Sequence, residues 1–370
     1  MMVFYDYIIV GSGLYGSVMA ERLKSAGKTV LVIEKRNHIG GNCFSFKYDG
    51  TDISVHKYGT HIFHTNSKTI WEYINRFGEF NRYQHRVLTT HKNKVYAMPI
   101  NLGTINSFFG LNLKPFEVAA FIARQTKNSG FAHNLEEKAV SLIGNDLYEA
   151  FIKGYTQKQW GCDPKELPAD IFTRLPVRTS YYDSYFDDVF QGLPINGFTS
   201  LFDNMLQGVP VEMNVDFFAD RSYWRSKCNK LIYSGPLDRF FDYEFGRLSW
   251  RSVRFEYEYV EHIDYQGTSV MNYADMEIPY TRVHEPKHLH PEKTYVNGTN
   301  VIIREYPVLD ETEPYYPVNF AVDKDKLTKY EAIKSRETGV VFGGRLAEYK
   351  YYDMHHVIEK ALKDVESLFR

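Results

Sequence analysis

Residues 5–16 read YDYIIVGSGLYG, and the fold turns on this stretch. Tyr5–Val10 is a short apolar run, the pattern of a strand buried on both faces in a parallel sheet. It stops at Gly11. Gly11, Gly13 and Gly16 then spell GxGxxG, while Leu14, Val18, Met19, Leu23 and Ala26 line one side of a helix. Gly27 is a natural helix stop, and Thr29–Ile33 is a second buried strand. Glu34 ends it, close to the ~20-residue spacing of the dinucleotide fingerprint. Alone, GxGxxG is weak; a tight turn and a surface glutamate would produce it. Between two strands, with an acid at the right distance, it predicts a βαβ unit. The glycines then let backbone N–H groups approach a pyrophosphate at a helix N-terminus, and Glu34 accepts the ribose hydroxyls.

The next segment, EKRNHIGGN, adds Gly40, Gly41 and Asn42 directly after the acid. A second glycine pair suits a flavin chain lying across the sheet, so FAD is favoured over NAD. YGTHIFHT (58–65) places His61 and His64 near a strand edge. A packed polar residue and a cofactor contact are both open for each. Neither has metal-ligand spacing, and no metal site is expected.

Totals bound the rest. The chain has 370 residues, which predicts two or three domains. A formal net charge of −2 argues against a nucleic-acid binder. The three cysteines, Cys43, Cys162 and Cys228, form no CxxC and fit a reducing cytosol. No leader or ~20-residue apolar span is read, so a cytoplasmic protein without a membrane span is expected. Tyrosine is abundant, at 29 residues, supplying rings that pack while offering a hydroxyl.

Further along, the spacing predicts a helix over 67–78, then a helical block. Pro115 opens a helix carrying Phe116, Ala119 and Ile122. Asn134 with Glu137 resembles a capping box, and Asn145 caps a further helix. After about 240 the period becomes two. Val253, Phe255, Tyr257 and Tyr259 alternate with charged residues, as in a half-buried antiparallel strand. Asn297-Gly298 between extended runs predicts a hairpin. Gly339–Gly344 reads as a buried strand and Met354–Phe369 as a helix. The expected fold is α/β: a Rossmann-like FAD-binding domain, an inserted helical domain and an antiparallel sheet domain. The expected boundaries are 1–80 with about 195–245 and 317–370 for the first, 81–180 for the second, and about 181–194 with 246–316 for the third.

A second site is read from FIKGYTQKQWG (151–161). Tyr155 and Trp160 lie between Gly154 and Gly161; the glycines permit a hinge, and the rings either stack on a base or fill a helical core. Arg174, Arg282 and Arg345 sit beside tyrosine-rich segments, and guanidinium forks with phenol hydroxyls suit a diphosphate. GGRLAEYKYYDMHHV (343–357) gathers such groups behind a glycine pair, whose lack of side chains would let the backbone approach a bound flavin.

These segments, in this order, resemble the bacterial UDP-galactopyranose mutases nearly end to end. The resemblance is carried by YDYIIVGSGLYG, VIEKRNHIGGN, HKYGTHIFHTN, IKGYTQKQWG, ELPADIFTRLPVR, EPYYPVN and FGGRLAEYKYYDMH. It implies FAD held by Tyr15, Glu34, Asn42, His61, Ile62, Arg345, Tyr352, Asp353 and Met354. It implies a mobile loop with Trp160 and Arg174, uracil stacking on Tyr155, and nucleotide contacts from Thr156 and Asn272. Diphosphate ligands would be Tyr185, Arg282, Tyr316 and Tyr351. Catalytic roles fall to Arg174, Arg282 and His61. The implied reaction interconverts UDP-galactopyranose and UDP-galactofuranose by nucleophilic catalysis with reduced FAD, an intramolecular transfer without net redox change. An external reductant, a UDP-sugar substrate and a homodimer are its expected partners.

Two departures stand out: Thr60 replaces the family's alanine in YGAHIFHT, and His85-Arg86 replace smaller or uncharged groups. Both are expected near the sugar, and they open UDP-N-acetylgalactosamine as a second substrate. Two competing readings are an amine-oxidase-like flavin oxidoreductase and a non-enzymatic binding module on the same fold. The first does not account for the Arg174, Arg282 and Tyr316 set, and intact FAD contacts would be unexpected in the second.

Overall fold

The computed structural model describes residues 4–126, 132–174, 177–295, 298–308, 313–318 and 320–369, with only the backbone of Asp170, Thr173, Arg174 and Ala321. Tyr5–Val10 is the middle strand of a five-stranded parallel sheet. Its order is Val340–Phe342, Cys228–Tyr233, Tyr5–Val10, Val30–Glu34, Val211–Met213. Ile8 pairs with Leu231 on one side and Leu31 on the other. Both faces are covered, which is why the sequence shows apolar runs rather than alternation. One face holds Val18 and Leu23 of the helix Leu14–Ser25 against Ile358 and Ala361 of the helix Met354–Leu368. The other packs Ile8, Leu31 and Ile33 against Phe217, Tyr233 and Phe342.

A seven-stranded, mainly antiparallel sheet follows. Its order is Tyr316–Pro317, Trp250–Val260, Asn300–Val308, Arg282–His284, Val270–Tyr273, Val87–His91, Lys94–Met98. The last two strands differ from the expected boundaries, which gave 81–180 to the helical domain. They join the sheet through a parallel pairing of Val87–His91 with Val270–Tyr273. The hairpin expected at Asn297-Gly298 falls partly outside the described residues. Asn300–Val308 is a strand, but its antiparallel partners are Trp250–Val260 and Arg282–His284.

The helical part packs around Leu102, Ile105, Phe121, Leu135 and Phe151. Pro115 opens a helix as expected, but the buried side is Val118 and Phe121, and Phe116 is 81% exposed. Asn134 caps Leu135–Ile143 by accepting from Glu137 N at 2.9 Å. Among the described residues, no helix is long and apolar enough to cross a membrane.

Candidate active site

A cleft of about 560 Å³ opens along the carboxyl ends of the parallel strands, lined by Gly11, Gly13, Glu34, Gly41 and Asn42 among others. The glycines are there for space. Gly11 sits at φ +100°, and a side chain on it would strike Ser234 Oγ; a Cβ on Gly41 would lie 2.9 Å from Gly13 Cα. Gly16 is needed for packing, since a Cβ there would overlap Gly11 O. Glu34 is buried and holds the turn: Ser12 N and Oγ donate to its Oε2 at 2.8 and 2.7 Å, and Arg36 N to its Oε1 at 2.9 Å. Oε1 retains acceptor capacity toward the cleft. Glycine cradle, acid and volume together fit a flavin dinucleotide.

At the far end of the same cleft stand His61, Arg345, Tyr352 and Met354. His61 Nδ1 faces Gly59 O at 2.7 Å, so Nδ1 carries the proton and Nε2 is the acceptor. Burial, assisted by the nearby Arg345 guanidinium, holds the imidazole down at about 4. His61 is therefore neutral near pH 7 and is no acid there. Arg345 donates to Tyr352 O at 2.6 Å and Tyr315 O at 3.3 Å; among the described residues no carboxylate pairs with it.

Tyr15 and the Gly343-Gly344 pair explain one another. A Cβ on Gly343 would overlap the Tyr15 ring, and the Tyr15 hydroxyl donates to Asp364 Oδ2 at 2.6 Å. The glycine pair makes room for Tyr15, and Gly344 also lines the cleft. Ile62 is packed in the core, and Asp353 sits at the N-cap of Met354–Leu368, 3.6 Å from His356 Nδ1; neither lines the cleft.

Beside the His61–Arg345 end, the seven-stranded sheet contributes a cationic group. Arg282 Nε donates to Asn272 Oδ1 at 3.3 Å, its guanidinium lies 5.6 Å from the Tyr155 ring centroid, and Nη1 is 3.6 Å from Glu305 Oε1. Burial alone would lower the Arg282 pKa. Tyr155, Glu305, Tyr185 and Tyr316 around it raise it instead, so the charge is permanent. Tyr316 stacks on Tyr351 at 5.4 Å and 12°, with Arg345 within 5.9 Å of both rings. The structure thus brings together Tyr155, Asn272, Arg282, Tyr316, Tyr351 and Tyr185. Thr156 is buried, and Trp160 packs against the helical core; among the described residues neither makes a hydrogen bond or ring contact with Arg282. The Arg174 side chain lies outside the described residues.

Gly154 and Gly161 are contact points. A Cβ on Gly154 would overlap Ala274 O, and one on Gly161 would sit 2.9 Å from the Arg251 guanidinium. Gly161 also ends its helix at φ +68°, where glycine is favoured. The two departures separate. Arg86 points outward and pairs with Asp183 at 3.1 Å, with more than half of its side chain exposed. His85 is buried edge-on to Tyr185, and burial with Arg282 nearby pushes its imidazole down to about 3. Thr60 Oγ1 meets His284 Nδ1 at 2.8 Å, and His284 Nε2 meets Glu305 Oε2 at 3.0 Å. Thr60 therefore reaches Arg282 through two buried groups.

Three residues of this group were not read from the sequence. Glu305 and His284 are buried beside Arg282. Arg251, 4% exposed, donates from Nε to Gln159 O at 3.0 Å, while its buried Nη1 has no partner among the described residues. The signal was present. Arg251 continues the inward series Val253, Phe255 back by two, and Glu305 continues Val301, Ile303 forward by two.

A profile of the UDP-galactopyranose mutase family matches residues 150–351, and an NAD(P)-binding Rossmann-like profile matches residues 9–77. A Klebsiella pneumoniae protein named "Probable UDP-galactopyranose mutase" is 41% identical over 98% of this chain and 94% of its own length. The chain belongs to the UDP-galactopyranose mutase family. Membership implies a flavin cofactor and an isomerase. An Escherichia coli relative named dTDP-fucopyranose mutase is 40% identical, covering 96% of each chain. A crystal structure of a reduced UDP-galactopyranose mutase superposes with a TM-score of 0.76 at 14% identity, covering 99% of this chain and 95% of that one, which speaks for the shared fold.

Proposed function

We propose that this protein interconverts UDP-galactopyranose and UDP-galactofuranose, with FAD in the glycine-lined cleft. The observation that carries the reading is the partly buried Arg282, held by Asn272 and Glu305 against Tyr155, next to the His61–Arg345 end of that cleft. Glu34 would take the ribose, Gly11 and Gly13 the pyrophosphate, and Arg345 a negative charge on the ring system. When bound and reduced, FAD supplies the nucleophile for the anomeric carbon, with no net redox change. The protein's own work is electrostatic. Arg282 faces the diphosphate as it departs, where its charge is worth most. Arg174 is assigned as the second cation by family resemblance. Tyr155 offers its ring to the uracil, and Tyr316 and Tyr351 offer hydroxyls to the phosphates. His61, neutral with Nε2 as acceptor, orients a hydroxyl rather than donating a proton.

The E. coli relative favours a second reading, a dTDP-6-deoxyhexose substrate on the same machinery. Arg86, turned outward, gives no support to an N-acetyl pocket; His85 is the remaining candidate for one. One experiment compares them. The purified, dithionite-reduced protein is incubated under anaerobic conditions with UDP-galactofuranose, dTDP-fucofuranose and UDP-N-acetylgalactofuranosamine in parallel, and products are separated by chromatography. Conversion of the first, fastest by kcat/KM, is expected. Faster turnover of the second would move the assignment to dTDP-fucose, and no turnover of any would end the mutase reading.

A further inference from the structure

The helix Gly154–Trp160 carries a lysine with an unusual set of partners. Lys158 Nζ faces four backbone carbonyls: Tyr273 O at 2.7 Å, Asp275 O at 2.9 Å, Ile278 O at 2.9 Å and Tyr280 O at 3.1 Å. An ammonium has three protons, so four acceptors share them. Among the described residues, no carboxylate oxygen lies in ion-pair range. All four carbonyls belong to the turn joining Val270–Tyr273 to Arg282–His284. One helical turn before Lys158, Gly154 lets Ala274 O reach the helix backbone. The turn is therefore wrapped around one face of the helix, by removal of a side chain at one end and an ammonium at the other.

That turn ends in the diphosphate group. Asn272 adjoins Tyr273, and Arg282 lies two residues beyond Tyr280. The helix itself carries Tyr155, over which Arg282 sits. We propose that Lys158 is a positioning residue, whose ammonium locks the Asn272–Arg282 hairpin to the nucleotide-binding helix and so fixes Arg282 against Tyr155. The proposal rests on the nucleotide reading above and adds to it a residue that touches neither substrate nor cofactor.

The lock is sensitive to charge. Burial lowers the Lys158 pKa to about 8, against the opposing pull of Asp275 and Glu277 on the same turn. Asp275 is already engaged by His91 Nδ1 at 2.7 Å and Lys92 N at 2.9 Å. On the other side Arg251 donates to Lys158 O at 3.4 Å. Loss of the proton removes one donor and the charge that balances four carbonyl dipoles, so the clamp weakens as pH rises through about 8.

The test uses flavin-loaded full-length protein and UDP as the probe, by titration calorimetry from pH 7 to 9. Wild type should bind UDP and lose affinity across pH 8. Lys158→Met should keep its flavin and bind UDP at least tenfold more weakly at pH 7, with no step at pH 8. Lys158→Arg, charged throughout, should recover part of the affinity and also lack the step. A Lys158→Met protein that binds UDP like wild type would overturn the proposal. So would a step at pH 8 that persists in Lys158→Arg, which decides the matter even if the methionine variant does not fold. If wild type itself binds no UDP, the nucleotide assignment fails first and takes the proposal with it.

Discussion

Arg282, partly exposed, forms an ion pair with the buried Glu305 that is too long for a direct hydrogen bond, with Nη1 and Oε1 3.6 Å apart. Among the described residues Glu305 Oε1 has no hydrogen-bond partner, and its other oxygen is held by His284. Arg282 thus has a counter-charge near enough to tolerate partial burial and far enough to leave its donors for an anion. A tight bidentate pair would have spent them.

Arg282→Ala should lower kcat/KM by at least ~100-fold, the scale for losing one group that stabilises developing charge. It also strands Glu305, so unfolding free energy should fall by about 3 kcal/mol. Steady-state kinetics and urea unfolding measure the two effects. A variant with unchanged kcat/KM would remove Arg282 from the site.

Among the described residues, the buried Tyr155 hydroxyl has no partner. Tyr155→Phe should therefore leave thermal stability unchanged or slightly higher, because an unsatisfied polar group is removed. If that hydroxyl bonds the nucleotide, UDP affinity falls several-fold in the same variant. A clear drop in melting temperature would mean that the hydroxyl has a protein partner.

Gly343→Ala should drive the Tyr15 ring from its place, at a cost of about 1–3 kcal/mol, with weaker flavin retention. Tyr15→Ala in the same chain should relieve part of that cost. Additivity of the two changes in a double-mutant cycle would contradict the contact.

Acid should weaken the fold early. Burial keeps His56, His61 and His85 below their usual 6.5, His61 at about 4 and His85 at about 3. The unfolded chain takes up these protons near pH 6.5 and the folded chain only lower down, so stability is full above 6.5 and falls as pH drops toward 4. The urea midpoint should decline between pH 6.5 and 5, before most carboxylates titrate, and less steeply in His85→Gln. Equal midpoints at pH 7 and pH 5 would sink the account.

The nucleotide end was legible because its reasons are local. Gly11, Gly16 and Glu34 are dictated by a strand–turn–helix whose parts adjoin in sequence. The contact of Gly343 with Tyr15 was not legible, because the ring it accommodates is supplied by a remote segment. Lys158 was invisible for a similar reason: its partners are backbone carbonyls, which carry no residue signature. Strands Val87–His91 and Lys94–Met98 were assigned by proximity to helices, whereas their sheet neighbour, Val270–Tyr273, lies far along the chain. Arg251 and Glu305 are different. Period two pointed inward at both, and their polarity hid them, since an inward charge reads as a break in a pattern until a reason for it is known.

The Tyr15–Gly343–Asp364 contact also constrains the order of events in the cell. Tyr5–Val10 leaves the ribosome long before its sheet neighbour Cys228–Tyr233, and that strand long before Val340–Phe342. The wall of the flavin cleft that holds Tyr15 is supplied by Gly343 and the helix after it, segments far along the chain from Tyr15. Synthesis through Gly343 and the helix after it therefore precedes a finished pocket. A nascent chain truncated before Gly343 should not retain flavin, however well its first βαβ unit has formed.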